Sequence, residues 1–386
     1  MLALIMLGAV LFSQFGNMFD VQAEDVLEVS AKAVILIEST TGTVIYEDNA
    51  DEQLAPASVT KIMTLLLIFD ALESGQITLE DEVVVSEYAA SMGGSQIYLE
   101  AGEIQTVDTM IKSIAVASAN DACVAMAEYI SGSAEAFVEE MNERAEGLGM
   151  SNTNFINCNG LDAEGHVTTA RDISLMSQEL LNTYPEITAY TTIWMDTITH
   201  VTNSGSSEFG LTNTNKLLQA YAYTTGLKTG STDDALFCIS ASATRDDIDL
   251  IAVVMGAPTS ADRTTDAITL LNYGFANCQI YEDTEAVYLN YSDIPVEKGV
   301  EDFVSAQAEH TFSYVDTEGN NLSYVSKEVI YDETLVAPII EGDIVGHIVY
   351  MLEDKEIGVV NLVAVNDVEA MNFKYALLEV LSDYLL

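Results

Sequence analysis

A serine and a lysine three residues apart, in the string Ser58-Val59-Thr60-Lys61, form the pair in this chain best suited to covalent chemistry. On a helix that spacing puts both side chains on one face and within reach of each other. The amine can then take the hydroxyl proton as the oxygen attacks a carbonyl. A free lysine, with a pKa near ~10.4, is a poor base at neutral pH, whereas burial and a nearby second cation push it toward the neutral amine. Lys228, in Lys228-Thr229-Gly230, is the expected source of that cation. Between these two strings lies Ser118-Ala119-Asn120, which supplies a second hydroxyl and an amide. S-x-x-K alone turns up by chance about once in a chain of this length. The ordered set S-x-x-K, S-x-N, K-T-G is far rarer and describes a serine nucleophile with a lysine base.

The elements needed to position these groups are legible around them. Pro56 suits a helix start, and Ile62-Met63-Thr64-Leu65-Leu66-Leu67 reads as a helix apolar nearly all round, hence buried along with Lys61. Residues 107–117 and 121–130 are periodic apolar segments, so Ser118-Ala119-Asn120 occupies a short turn between two helices and faces a cleft. Further helices are expected over 134–148 and 169–181. Residues 31–38 and 44–47 read as two strands around the turn Thr40-Thr41-Gly42-Thr43, and 235–243 and 250–256 as central antiparallel strands. The expected class is α+β, an antiparallel sheet covered by helices.

From about Gln279 the texture changes to short β-rich runs separated by turn signals such as Glu318-Gly319-Asn320 and Glu341-Gly342-Asp343. No acids, bases or metal ligands cluster there, so residues 279–366 are expected to form a small all-β domain that spaces or docks rather than catalyses. Residues 367–386 read as an amphipathic helix with Val368, Met371, Tyr375, Leu378, Leu381 and Leu385 on one face. Two roles stay open for it, peripheral membrane contact or packing on protein. Glu369, Glu379 and Asp383 against a single Lys374 oppose anionic lipid.

Composition narrows the partners. At 386 residues and 49% hydrophobic, the chain has room for one large core and a smaller module. Leu2 to Phe12 form an apolar run, and Val21-Gln22-Ala23 suits cleavage before Glu24, so residues 1–23 read as a signal peptide although no Lys or Arg precedes the run. The expected catalytic domain is then 24–278. A formal charge of −48 excludes nucleic acid as a partner. Cys123, Cys158, Cys238 and Cys278 lack metal-binding spacing and read as buried structural thiols; His166, His200, His310 and His347 are isolated, so neither a metal nor a cofactor is expected.

The chain resembles the serine-type D-alanyl-D-alanine carboxypeptidases (peptidase family S11), also called low-molecular-mass penicillin-binding proteins. Beyond the three motifs, the resemblance rests on Leu54-Ala55-Pro56-Ala57, Asn120-Asp121-Ala122-Cys123, Gly160-Leu161-Asp162-Ala163, Thr169-Ala170-Arg171-Asp172, Asn213-Thr214-Asn215 and Gly226-Leu227. It implies a β-lactamase/transpeptidase-like catalytic domain followed by the β domain, in an exported enzyme of the cell envelope. The implied reaction removes the terminal D-alanine from peptidoglycan stem peptides. Ser58 would be the nucleophile, Lys61 its base, Ser118 a proton relay to the leaving amine, and Asn120 a holder of the lysine and a substrate amide. The backbone N–H groups of Ser58 and Ser231 would meet the oxyanion, and Lys228, Thr229, Gly230 and Arg263 would bind the substrate, chiefly its terminal carboxylate. β-Lactam antibiotics would be covalent inhibitors. Thr214 stands where relatives carry arginine.

Two other readings compete. A class A β-lactamase shares the scaffold but needs a glutamate for deacylation, and the nearest E-x-x-N, Glu139-Glu140-Met141-Asn142, falls in a surface helix. A non-catalytic wall-binding protein on an inactivated fold is opposed by intact Ser58, Lys61 and Lys228.

Overall fold

The computed structural model describes residues 27–202, 205–332 and 334–384, so the expected signal segment lies outside them. Strands β1 (Ala33–Glu38), β2 (Val44–Asp48), β3 (Thr224–Thr232), β4 (Leu236–Arg245) and β5 (Ile248–Ala257) form a five-stranded antiparallel sheet in the order β2-β1-β5-β4-β3. The run Ala33-Val34-Ile35-Leu36-Ile37 is buried throughout because helices cover both faces of the sheet. With period two, Ile35 and Ile37 join one core while Val34 and Leu36 join another.

The first core contains helices α1 (Lys61–Glu73), α2 (Val107–Ala117), α3 (Asn120–Ser131), α4 (Ala134–Gly147) and α5 (Ala170–Thr183). On the opposite face α6 (Ser260–Asn277) packs Ala267, Leu270 and Leu271 against β1, β4 and β5. Helix α1 is buried from Lys61 through Phe69, as an all-round apolar sequence requires. The sequence reading did not anticipate α6, nor a hairpin of strands Met195–Thr202 and Gly205–Thr212. His200 secures it, its Nδ1 lying 2.7 Å from Oε1 of buried Glu103.

Beyond α6, strands β6 (Tyr291–Glu297), β7 (Phe303–Ala308), β8 (Val325–Tyr331), β9 (Leu335–Val336), β10 (Ile344–Leu352) and β11 (Lys355–Ala364) make a six-stranded sheet with its own core. The last helix, α7, spans Phe373–Tyr384 rather than starting at 367. Val368 pairs with Ile339 as an isolated bridge and is buried in the β core, which holds that stretch extended. Among the described side chains of α7, Phe373, Leu377, Leu378 and Leu381 are exposed apolar groups, of which Leu378 and Leu381 belong to the expected stripe. No helix among the described residues is long and apolar enough to cross a membrane.

Candidate active site

Ser58 sits on a single 3-10 turn, Ala57–Thr60, that leads directly into α1 at Lys61. Ala57 adopts a positive φ of 48°, a conformation disfavoured for a residue with a Cβ. Its carbonyl lies against Gly160, where a Cβ would come within 1.9 Å of Ala57 O, so only glycine fits. The turn is secured from below by His166, which accepts from the Ile156 N–H at Nδ1, 2.9 Å. With Nδ1 an acceptor, the neutral ring carries its proton on Nε2 and donates it to Thr60 Oγ1 at 2.8 Å.

Lys61 is fully buried and its Nζ has three neighbours: Ser58 Oγ at 3.0 Å, Asn120 Oδ1 at 2.7 Å and the Asn159 carbonyl. A neutral amine has two N–H bonds and one lone pair. Given to Asn120 and Asn159, the two N–H groups leave the lone pair for the Ser58 hydroxyl proton. Burial holds the Lys61 pKa below the ordinary lysine range, against the opposing influence of nearby Cys123, Cys158 and Asp121. Lys228, 1% exposed with the Thr229 carbonyl 3.0 Å away as its acceptor, is itself held well below the ordinary value, first by burial and then by the charge of Lys61. Burial of both amines and their mutual repulsion thus disfavour charge on the two together.

Ser118 ends α2 with a left-handed backbone, φ 60° and ψ 37°, and Asn120 starts α3. The Ser118 hydroxyl is buried and, among the described residues, has no hydrogen-bond partner. Asn120 is gripped from outside the motif, donating through Nδ2 to the Gly93 carbonyl at 2.7 Å and through its backbone N–H to Ser95 O at 2.7 Å. Asp121 fastens the same segment by accepting from the Ile97 and Leu99 N–H groups.

The third wall is β3, which carries Lys228, Thr229, Gly230 and Ser231 at the sheet edge. A Cβ on Gly230 would lie 2.8 Å from Ser58 N, so glycine permits the strand to approach the nucleophile turn. Thr229 Oγ1 is 2.8 Å from Thr214 Oγ1. Arg263 on α6 is buried beneath the strand, its Nη1 3.4 Å from the carbonyls of Gly230 and Cys238 and its guanidinium 6.0 Å from the Phe237 ring. Ser58, Ser118, Thr229, Gly230, Ser231 and Arg263 thus line one cleft of about 310 Å³, together with Ser95, Thr214, Phe237 and Ser260.

All nine anticipated residues therefore converge, six on the cleft wall and Lys61, Asn120 and Lys228 just beneath it. The sequence reading missed Ser95, the Asn159 carbonyl, Phe237 and Ser260, and gave Gly160 and Asp121 no task. Gly160 did carry a signal, a glycine inside a quoted motif. A backbone carbonyl carries none. The four cysteines are buried and unpaired.

A serine backed by a buried lysine, at the edge of an antiparallel sheet covered by helices, defines a serine acyl-transfer enzyme. Comparison with known proteins narrows the class. The D-alanyl-D-alanine carboxypeptidase family profile matches residues 19–259, and that of the penicillin-binding protein 5 C-terminal domain matches residues 275–370. The D-alanyl-D-alanine carboxypeptidase DacF of Bacillus subtilis is 40% identical over 357 residues, covering 92% of this chain and 90% of that protein. DacC of Escherichia coli is 33% identical over 361 residues, 91% of this chain and 88% of that one. The crystal structure of penicillin-binding protein 5 from Haemophilus influenzae superposes with a TM-score of 0.77 at 32% identity, over 89% of this chain and 98% of that chain. The chain belongs to the D-alanyl-D-alanine carboxypeptidase family and is a serine-type carboxypeptidase.

Proposed function

We propose that this enzyme removes the terminal D-alanine from peptidoglycan stem pentapeptides through an acyl-enzyme on Ser58, and that β-lactams acylate the same oxygen. The observation that carries this reading is the placement of Lys61 Nζ 3.0 Å from Ser58 Oγ in a fully buried setting. As Oγ attacks the carbonyl of the penultimate D-alanine, its proton passes to the Lys61 amine. The developing oxyanion is met by the N–H groups of Ser58 and Ser231. Ser118, whose hydroxyl has no competing partner among the described residues, hands a proton to the leaving amine. D-alanine departs, and water releases the shortened peptide from Ser58.

Substrate orientation falls to β3 and α6. Lys228 and Arg263 lie buried at the cleft and Thr229 presents its hydroxyl there, a setting that attracts the terminal carboxylate in an otherwise acidic chain. Asn120 keeps Lys61 in place and offers its amide toward the substrate backbone. Glu139 and Glu140 are exposed on α4, which supports slow rather than rapid release of a bound β-lactam. The apolar run at residues 2–12 supports export, hence action outside the cytoplasm in cell-wall maturation. The exposed Phe373, Leu377, Leu378 and Leu381 of α7 support peripheral contact with a membrane.

Two measurements test the core of this reading. Labelled penicillin is expected to attach covalently to the wild type and not to Ser58→Ala. Mass spectrometry of diacetyl-Lys-D-Ala-D-Ala incubated with the enzyme is expected to show loss of one D-alanine. A wild type that takes up no label and leaves the peptide intact would support a non-catalytic wall-binding protein instead.

A further inference from the structure

A second cavity, about 630 Å³ in volume, opens at the far end of α1, away from Lys61. That is ample for a small organic ligand. Three aromatic rings wall it: Phe69 stacks on Tyr184 with centroids 5.5 Å apart and meets Tyr190 edge to face at 6.5 Å. Both tyrosine hydroxyls are tied down, Tyr184 donating to Asp70 Oδ1 and Tyr190 to Asp108 Oδ1, each at 2.7 Å. The rings are therefore fixed, and each phenol leans on a carboxylate that enriches the electron density of its face. An electron-rich aromatic wall attracts cations.

The charged groups at the cavity point the same way. Glu73, Asp108 and Glu186 line it, and among the described residues no basic side chain does. Two cations pair with carboxylates around it. Arg144 reaches Asp70 at 3.0 Å and Glu179 at 2.6 Å, and Lys112 lies 3.0 Å from Asp196 but 4.0 Å from Asp108. Among the described residues, Glu73 and Glu186 have no ion-pair partner. Glu73 also stands in the last turn of α1, which holds no basic residue, so its charge adds to the negative end of the helix dipole. A positive group is the missing complement at this place, whereas a carboxylate ligand such as the cleft attracts is repelled.

We propose that this cavity binds an organic ammonium ion carrying an apolar body, with the head group against the Phe69, Tyr184 and Tyr190 walls and among the three carboxylates. The site is separate from the serine cleft and opposite to it in charge preference.

The test is calorimetric titration of the full chain at low salt with choline and with 3,3-dimethylbutan-1-ol, its uncharged isostere. Choline is expected to bind saturably at one site, with the alcohol about tenfold weaker or worse, as a desolvated cation–π contact with added charge implies. Tyr190→Leu keeps the charge and removes a ring, and should abolish saturation. Glu73→Gln with Glu186→Gln alters only exposed side chains, so the fold survives, and should weaken choline at least several-fold. Equal affinity for the alcohol would overturn the proposal, leaving a merely apolar hollow. So would choline uptake unchanged in both variants, which would mark diffuse attraction to an acidic surface.

Discussion

At the scale of the residue, the base is defined by what surrounds its nitrogen. Three contacts on Lys61 Nζ match either three N–H bonds of the ammonium or two N–H bonds and a lone pair of the amine. Loss of one proton thus turns the Ser58 hydroxyl from acceptor to donor without moving a heavy atom. Because the neutral fraction rises with pH, acylation of Ser58 by penicillin should climb with pH, with an inflection below the ~10.4 of a free lysine. Lys61→Arg keeps a cation that does not deprotonate, so it should lose the climb and acylate about 100-fold more slowly or worse. Stopped-flow rates near wild type for that variant would show that another base operates. Ser58, Lys61, Ser118, Asn120 and Lys228 were readable because their chemistry resides in side chains at characteristic spacing. Asn159 was not, since it serves through a carbonyl that any residue possesses.

At the scale of the element, the nucleophile turn depends on a neighbour brought from more than a hundred positions away. His166 is buried, and burial pushes its pKa down to about 4 from the usual value near 6.5. Between those two values the unfolded chain is protonated and the folded chain is not. Stability therefore falls as pH drops from 6.5 toward 4, by on the order of 3 kcal/mol, and levels off below. His166→Gln retains an acceptor for Ile156 and a donor for Thr60 without titrating. It should be less stable than wild type at pH 7 yet lose less between pH 7 and pH 4, as read by thermal melts; parallel losses would remove His166 from the acid transition. Helices α2 and α3 were legible because each buries a periodic stripe, and both met their expected ends within a residue, whereas α6 went unread. The Met195–Thr202 and Gly205–Thr212 hairpin was not, because its strands are rich in Ser and Thr and bury only Ile198, His200 and Leu211 among their larger side chains. With so few inward apolar positions there is little alternation to read.

At the scale of the molecule, 61 acidic and 13 basic side chains leave a self-repelling surface. Three of those 13 cations, Lys61, Lys228 and Arg263, are buried at the cleft and screen nothing outside. Raising ionic strength from 0.02 to 0.5 M shortens the Debye length several-fold and should raise the first melting transition by about 4 °C or more. A flat or falling transition temperature in calorimetry would mean that the acidic groups are already balanced by local pairing. The passage from the five-stranded to the six-stranded sheet was visible as a change of texture near Gln279, whereas the way α7 begins was not, because the Val368–Ile339 bridge joins residues that no local pattern relates. The pairing of β1 with β5, Ala33 opposite Met255, has one more consequence. During synthesis the first strand can pair with β2 at once, but its link to β5, and through β5 and β4 to the β3 edge on which the cleft is built, waits until the ribosome has delivered more than two hundred further residues. A nascent chain thus carries Ser58 and Lys61 long before the third wall of the cleft exists to complete their site.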